Sequence, residues 1–181
     1  LWYVCGLLKI NWKLVKNSFF CKNSSVYLYE KPSHKSKISS QILYGEKFKI
    51  LSKNKNWLKI KTSFDNYVGY VKKINYVSKF KPTHKIKKIY ASIYKKPNKN
   101  SKTTKKLSFC SFICVKKKEK NFFKIDNYWI NKKDVSPINK TENIFSRIKI
   151  FKGIRYKWGG VSFKGIDCSA LIQIFYKFNN K

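Results

Sequence analysis

The sequence predicts a mainly β chain with a terminal α part, and three observations carry that prediction. Most of its 181 residues fall into an internal repeat. Each copy alternates short apolar strands with turn residues at a period of two. Only the last stretch spaces its apolar residues as a helix does. The repeat is read from blocks that recur in one order. "VYLYEKPSHKSK" (26–37) matches "ASIYKKPNKNSK" (91–102), so Tyr29 is answered by Tyr94, Pro32 by Pro97 and Ser36 by Ser101, each 65 positions on. At the same offset "KNWLKI" (55–60) falls on "KNFFKI" (120–125). "DNYVGYV" (65–71) then answers "DNYWI" (126–130) across a shortened loop.

In the first copy, strands are expected near 26–29, 41–43, 47–51, 57–61 and 67–71. "KPSHKS" and "LYG" supply turns, with Gly45 free to take positive φ. Within "WLKIK", Trp57, Lys59 and Lys61 fall on one face and Leu58 and Ile60 on the other, because strand side chains alternate. A unit spanning 25–79 is small enough to be marginal alone. It resembles a bacterial SH3-like barrel in "YLYEKPS", in G-E-x-x-x-I at 45–50, in "NWLKI" and in "GYV" at 69–71. The second unit, 80–137, resembles that barrel less, having Tyr128-Trp129-Ile130 without the glycine. The resemblance implies modules that bind cell-wall peptides or shape a neighbouring active site. Tyr27, Tyr29, Trp57 and Tyr67 are expected to fill the barrel core, as aromatics usually do, or else to form a binding platform.

Composition narrows the function. The net charge of +34 suggests an anionic partner. Yet Arg147 and Arg155 are the only arginines, and Ala91 and Ala170 the only alanines. That bias fits an AT-rich coding sequence, and nucleic-acid readers favour the arginine that is missing here. No nucleic-acid role is expected; the lysines read as a solvated surface, or as a field that draws a carboxylate-rich substrate. No apolar run approaches the ~20 residues of a membrane span. The cysteines Cys5, Cys21, Cys110, Cys114 and Cys168 are odd in number and lack a disulfide-framework spacing. "CSFIC" has no second pair or nearby histidine for zinc, so Cys110 and Cys114 read as small hydrophobes in a strand region. No metal or cofactor is called for. The thiols favour a reducing compartment, hence a cytoplasmic location, with the cell envelope as the alternative. Residues 1–24 are unassigned; they make a poor signal peptide, with Lys9, Lys13 and Lys16 breaking the apolar pieces.

Residues 138–181 carry the chemistry. In "TENIFSRIKIFKG" the spacing predicts a helix capped by Thr141, with Ile144, Phe145, Ile148 and Phe151 on one side and a stop at Gly153. A second helix is predicted from 169 to 178, which puts Cys168 at a helix start. Unpaired amides and the helix dipole there stabilise an anion such as a thiolate or an oxyanion. "RYKWGGVSFKGIDCSALIQ" (155–173) resembles the signature of the NlpC family of papain-like cell-wall cysteine peptidases. It departs from the family pattern at Ala170, where glycine is usual.

The resemblance implies that 138–181 is the amino-terminal part of an α+β papain-like domain, following two tandem SH3-like barrels. It implies Cys168 as nucleophile with Tyr156 beside it, and Asp167, Ser169 and Trp158 as substrate contacts. The implied substrates are peptidoglycan stem peptides or muropeptides, cleaved at γ-D-glutamyl–L-diamino acid bonds. The family's histidine follows tens of residues later, and neither His34 nor His84 matches it. The sequence is therefore expected to be a truncated enzyme, inactive alone. The alternative is a non-catalytic wall-peptide-binding protein of tandem SH3-like modules.

Overall fold

The structure is a computed structural model that describes residues 13–14 and 17–181. Cys5 and the leader question raised for the first residues lie outside the described residues. The first unit's strands are β1 (Lys13–Leu14), β2 (Ser18–Cys21), β3 (Ser25–Tyr29), β4 (Ile38–Leu43), β5 (Lys47–Lys53), β6 (Leu58–Thr62), β7 (Val68–Val71) and β8 (Tyr76–Val77). They make one sheet in the order β4-β3-β7-β6-β5-β2-β8, with β1 also pairing β5. Alternation sorts the side chains: in β5, Phe48 and Ile50 are buried while Lys47 and Lys49 are exposed. Leu28, Ile42, Phe48, Ile60 and Val71 close a core. β2 has no counterpart in the sequence reading. It nevertheless pairs with β5 and β8 and buries Cys21 in that core.

The second unit comprises β9 (His84–Ile86), β10 (Tyr90–Tyr94), β11 (Lys102–Ser108), β12 (Phe112–Ile113), β13 (Lys117–Glu119), β14 (Phe122–Ile125), β15 (Tyr128–Asn131) and β16 (Val135–Pro137). These form sheets in the orders β11-β10-β15-β14-β13 and β12-β9-β16. The repeat extends to individual contacts. Ser36 Oγ accepts from Lys31 N at 3.0 Å, and Ser101 Oγ accepts from Lys96 N at 3.0 Å. Tyr29 meets Trp57 edge-on with centroids 5.7 Å apart, and Tyr94 meets Phe122 at 5.1 Å. The turn glycine Gly45 (φ +80) is answered by Cys110 (φ +64). The second copy, weaker in sequence, thus repeats the first in structure. Cys110 and Cys114 sit in a turn and a connector on either side of β12, not in a strand.

The two units interlock. A Cβ on Gly45 would lie 2.1 Å from the Phe112 carbonyl oxygen, and Phe112 N donates to Tyr44 O at 3.0 Å. Only a residue without a side chain permits that approach. Lys22 donates to the Tyr44 hydroxyl, which donates to Asp126 at 2.5 Å, and Lys22 pairs with Asp126 at 2.5 Å.

The terminal segment differs from expectation at its start. No α-helix runs from Thr141 to Phe151. Amides bond three residues back, Ser146 to Asn143, Ile148 to Phe145 and Ile150 to Arg147, and a single 3₁₀ turn spans Ile148–Phe151. Tertiary ties set this path: Glu142 N donates to Asn179 Oδ1 at 2.7 Å, and Phe151 packs with Phe175 in a core. A short hairpin follows, β17 (Val161–Ser162) with β18 (Gly165–Ile166), then α1 (Cys168–Phe178). Both units grip the far end of α1. Lys177 forms a buried ion pair with Glu46, and Lys85 donates to the Phe178 carbonyl.

Candidate active site

The start of α1 is fixed by its own sequence. Asp167 keeps extended backbone (φ −92, ψ 172), and its Oδ1 accepts from Ala170 N at 2.7 Å, an N-cap. The same oxygen accepts from Ser169 Oγ at 2.8 Å. Cys168 is therefore the first residue of the helix, and it is exposed. Its sulfur lies where amides without intrahelical partners and the helix dipole favour negative charge.

Backbone contacts bring the two halves of the motif side by side. Lys157 N donates to Ile166 O at 3.1 Å, and Asp167 N donates to Gly160 O at 3.0 Å. The motif then docks on β4 of the first unit. Gly159 has φ +64, and a Cβ there would lie 3.0 Å from both Ile38 Cγ2 and Ile38 O, so glycine allows both the turn and the contact. Val161 N donates to Gln41 Oε1 at 2.7 Å, and Lys157 donates to the Tyr27 hydroxyl.

This docking creates a cleft of about 180 Å³ with two unlike walls. Tyr156, Trp158, Asp167, Cys168 and Ser169 line one wall, so all five residues singled out from the sequence meet there. Tyr156 and Trp158 are 63% and 67% exposed and form an aromatic lip. The other wall belongs to the first SH3-like unit: Ser39 and Ser40 from β4, Asp65 and Tyr67 from the β6–β7 turn. Thr62 donates to Asp65, and Tyr67 N donates to Thr62 Oγ1 at 2.8 Å, which stiffens that turn. A larger cavity of about 500 Å³ adjoins the cleft along Asp65, Ala170 and Gln173.

The sequence reading missed Asp65, Ser39 and Ser40. One signal was present: residues 61–64 have no counterpart in the second copy, and this longer turn is what reaches the cleft. Of the four barrel aromatics only Trp57 is buried, as expected of a core residue; Tyr27 and Tyr29 are half-buried, Tyr67 is exposed, and the four do not form one platform. Tyr29 and Trp57 cluster with His34, Tyr27 lies beneath the Lys157 ammonium, and Tyr67 borders the cleft.

Neither histidine joins Cys168. His34 packs on Tyr29 and Trp57. The His84 ring lies 5.0 Å from that of Phe123, with Nδ1 3.0 Å from Thr83 Oγ1, and burial lowers its pKa. Among the described residues no helix is long and apolar enough to cross a membrane.

Residues 28–73 match the family described as the bacterial dipeptidyl-peptidase SH3 domain. A crystal structure of an NlpC/P60 family protein from Bacillus cereus ATCC 10987 superposes with a TM-score of 0.76 at 18% identity, covering 90% of this chain and 72% of that one. The chain has the fold of an NlpC/P60 protein. The gamma-D-glutamyl-L-lysine dipeptidyl-peptidase of Bacillus subtilis strain 168 is 27% identical over 162 residues, which cover 78% of this chain and 53% of that protein. The chain thus spans about half the length of this curated relative. The NlpC resemblance read from the motif and the SH3-like reading of the first unit both stand with these likenesses.

Proposed function

We propose that this chain carries the nucleophile and part of the substrate cleft of a cysteine peptidase acting on peptidoglycan stem peptides at γ-D-glutamyl–L-diamino acid bonds. The observation that supports it most is the exposed Cys168 thiol at the start of α1, in a cleft shared with Tyr156, Trp158, Asp167 and Ser169. The Cys168 thiolate attacks the amide carbonyl. The α1 amides stabilise the oxyanion, and the diamino acid leaves with its amine protonated. Water then releases the acyl group. The Asp167 and Asp65 carboxylates offer negative charge to the free amine of the dipeptide, and the aromatic lip covers its apolar surface. A wall contributed by a separate SH3-like unit limits the cleft to a short peptide end. We also propose that the substrates are recycled fragments in the cytoplasm.

The thiol needs a base, and His34 and His84 are engaged elsewhere. In the family pattern the imidazole lies on a strand beyond the nucleophile helix. The experiment is release of the amino-terminal dipeptide from a stem tripeptide. Turnover is expected from a chain extended through the family's downstream half, with Cys168→Ala lowering it at least about 10³-fold. Residues 1–181 alone are expected to stay at background. Extended-chain turnover that survives Cys168→Ala refutes the proposal.

A further inference from the structure

We propose a second site, outside the cleft and beyond the reading above: a phosphate-binding pocket on the outer face of β5 and β6. A hollow of about 280 Å³ is lined by Lys47, Lys49, Lys61, Thr62, Ser63 and Asn66. Each of these side chains can donate a hydrogen bond, and no carboxylate lines the hollow. The Thr62 hydroxyl already donates to Asp65, so the donors offered to an anion are three ammonium groups, the Ser63 hydroxyl and the Asn66 amide.

The pairing of the strands sharpens the case. Lys49 and Lys61 are direct partners across the β5–β6 ladder, where like charges repel. The ion pairs of the described residues use Lys22, Lys117, Arg147 and Lys177, none of them in this pocket. An anion bound between the ladder lysines turns that repulsion into attraction. A phosphate carries the charge and the several acceptor oxygens that three clustered ammonium groups and neutral donors satisfy.

A chain this rich in lysine puts the residue on many surfaces, and the repeat supplies an internal control. At the 65-residue offset Lys47 and Lys49 are answered by Phe112 and Cys114, while Lys61 to Phe64 have no counterpart. The cluster belongs to the first unit alone. It borders the larger cavity through Lys47, Thr62 and Ser63, so a phosphate-bearing polymer held there would lie one cavity away from the thiol.

The test is calorimetric titration of residues 1–181 with inorganic phosphate and with linear tripolyphosphate in low-chloride buffer. It compares the wild type with Lys49→Gln/Lys61→Gln and with a charge-matched control, Lys95→Gln/Lys96→Gln, on an exposed turn of the second unit. Tripolyphosphate is expected to bind the wild type and the control within about twofold, and the pocket variant about tenfold more weakly or less. Tripolyphosphate is also expected to raise the melting temperature of wild type and control above that in chloride of equal ionic strength, but not that of the pocket variant. Binding of inorganic phosphate as well would support the site with free phosphate as sufficient ligand. Binding of tripolyphosphate alone would support it with a polymer as the source. Equal weakening in both variants, or no binding to wild type, overturns the proposal and leaves the lysines as a solvated face that responds only to net charge.

Discussion

A thiol reacts according to where its sulfur sits. Cys21 and Cys110 are buried, and burial pushes both thiols up to about 12, so neither ionises near neutrality. Cys168 is exposed at the start of α1. Labelling of the native protein with iodoacetamide near pH 8, read by peptide mass spectrometry, is expected to modify Cys168 at least about tenfold faster than Cys21 or Cys110. Comparable rates at Cys110 and Cys168 would contradict the burial described here. At this scale Asp167, Cys168 and Ser169 were legible because their geometry is local: a cap, a first helical residue and a hydroxyl within one turn. Asp65 was not legible as a cleft residue. It reaches the thiol's surroundings only because a whole barrel docks on the motif through Gly159, Gln41 and Tyr27, and no local pattern encodes that docking.

Among the elements, β3 to β7 of the first unit were readable because alternation is set within five or six residues, whereas the short β1, β2 and β8 were not. The segment 141–153 was not. Its apolar spacing suits a helix, but Ile144 and Phe151 serve a core built around α1, and Asn179 holds the amide of Glu142. Tertiary contacts override a short helix's weak propensity. The junction between the units makes a pH prediction. Burial alone would raise the Asp126 carboxyl, but hydrogen bonds from Lys22 and Tyr44, together with nearby lysine charge, hold it below its ordinary value. A carboxyl depressed on folding contributes stability that is present above the unfolded value and lost as pH falls through the folded one. Acid titration of the melting temperature is therefore expected to show a loss below about pH 4 that Asp126→Asn lacks. Because Asp126 is 38% exposed, solvent screening keeps the effect of that substitution at about 1 kcal/mol or less. An identical acid limb in the variant would remove Asp126 from the account.

At the scale of the whole molecule, both units and α1 contribute to one shared core. Leu43 of the first unit and Phe109 and Cys110 of the second meet Ala170, Ile174, Phe175 and Phe178 of α1. Phe109 stacks on Phe178 at 4.7 Å. The Glu46–Lys177 pair pins the same helix to the first barrel. Burial works against the Lys177 charge, and the Glu46 carboxylate overrides it, so the ammonium is held above its usual range. Glu46→Ala leaves that charge buried and unpaired, and chemical denaturation is expected to show a loss of about 3–5 kcal/mol. Glu46→Leu/Lys177→Met, which removes both charges, is expected to restore most of it. A double variant no better than the single one would mean that packing rather than charge pairing dominates there. The Cys168 thiol faces a cleft whose second wall is the first barrel. The most direct measurement is the rate at which an electrophilic dipeptide ending in γ-D-glutamate alkylates the protein. The adduct is predicted on Cys168, at least about tenfold faster with a free amine than with an acetylated one, and Asp65→Asn should collapse that preference. An adduct on another cysteine, or equal rates for the two reagents, would contradict that geometry.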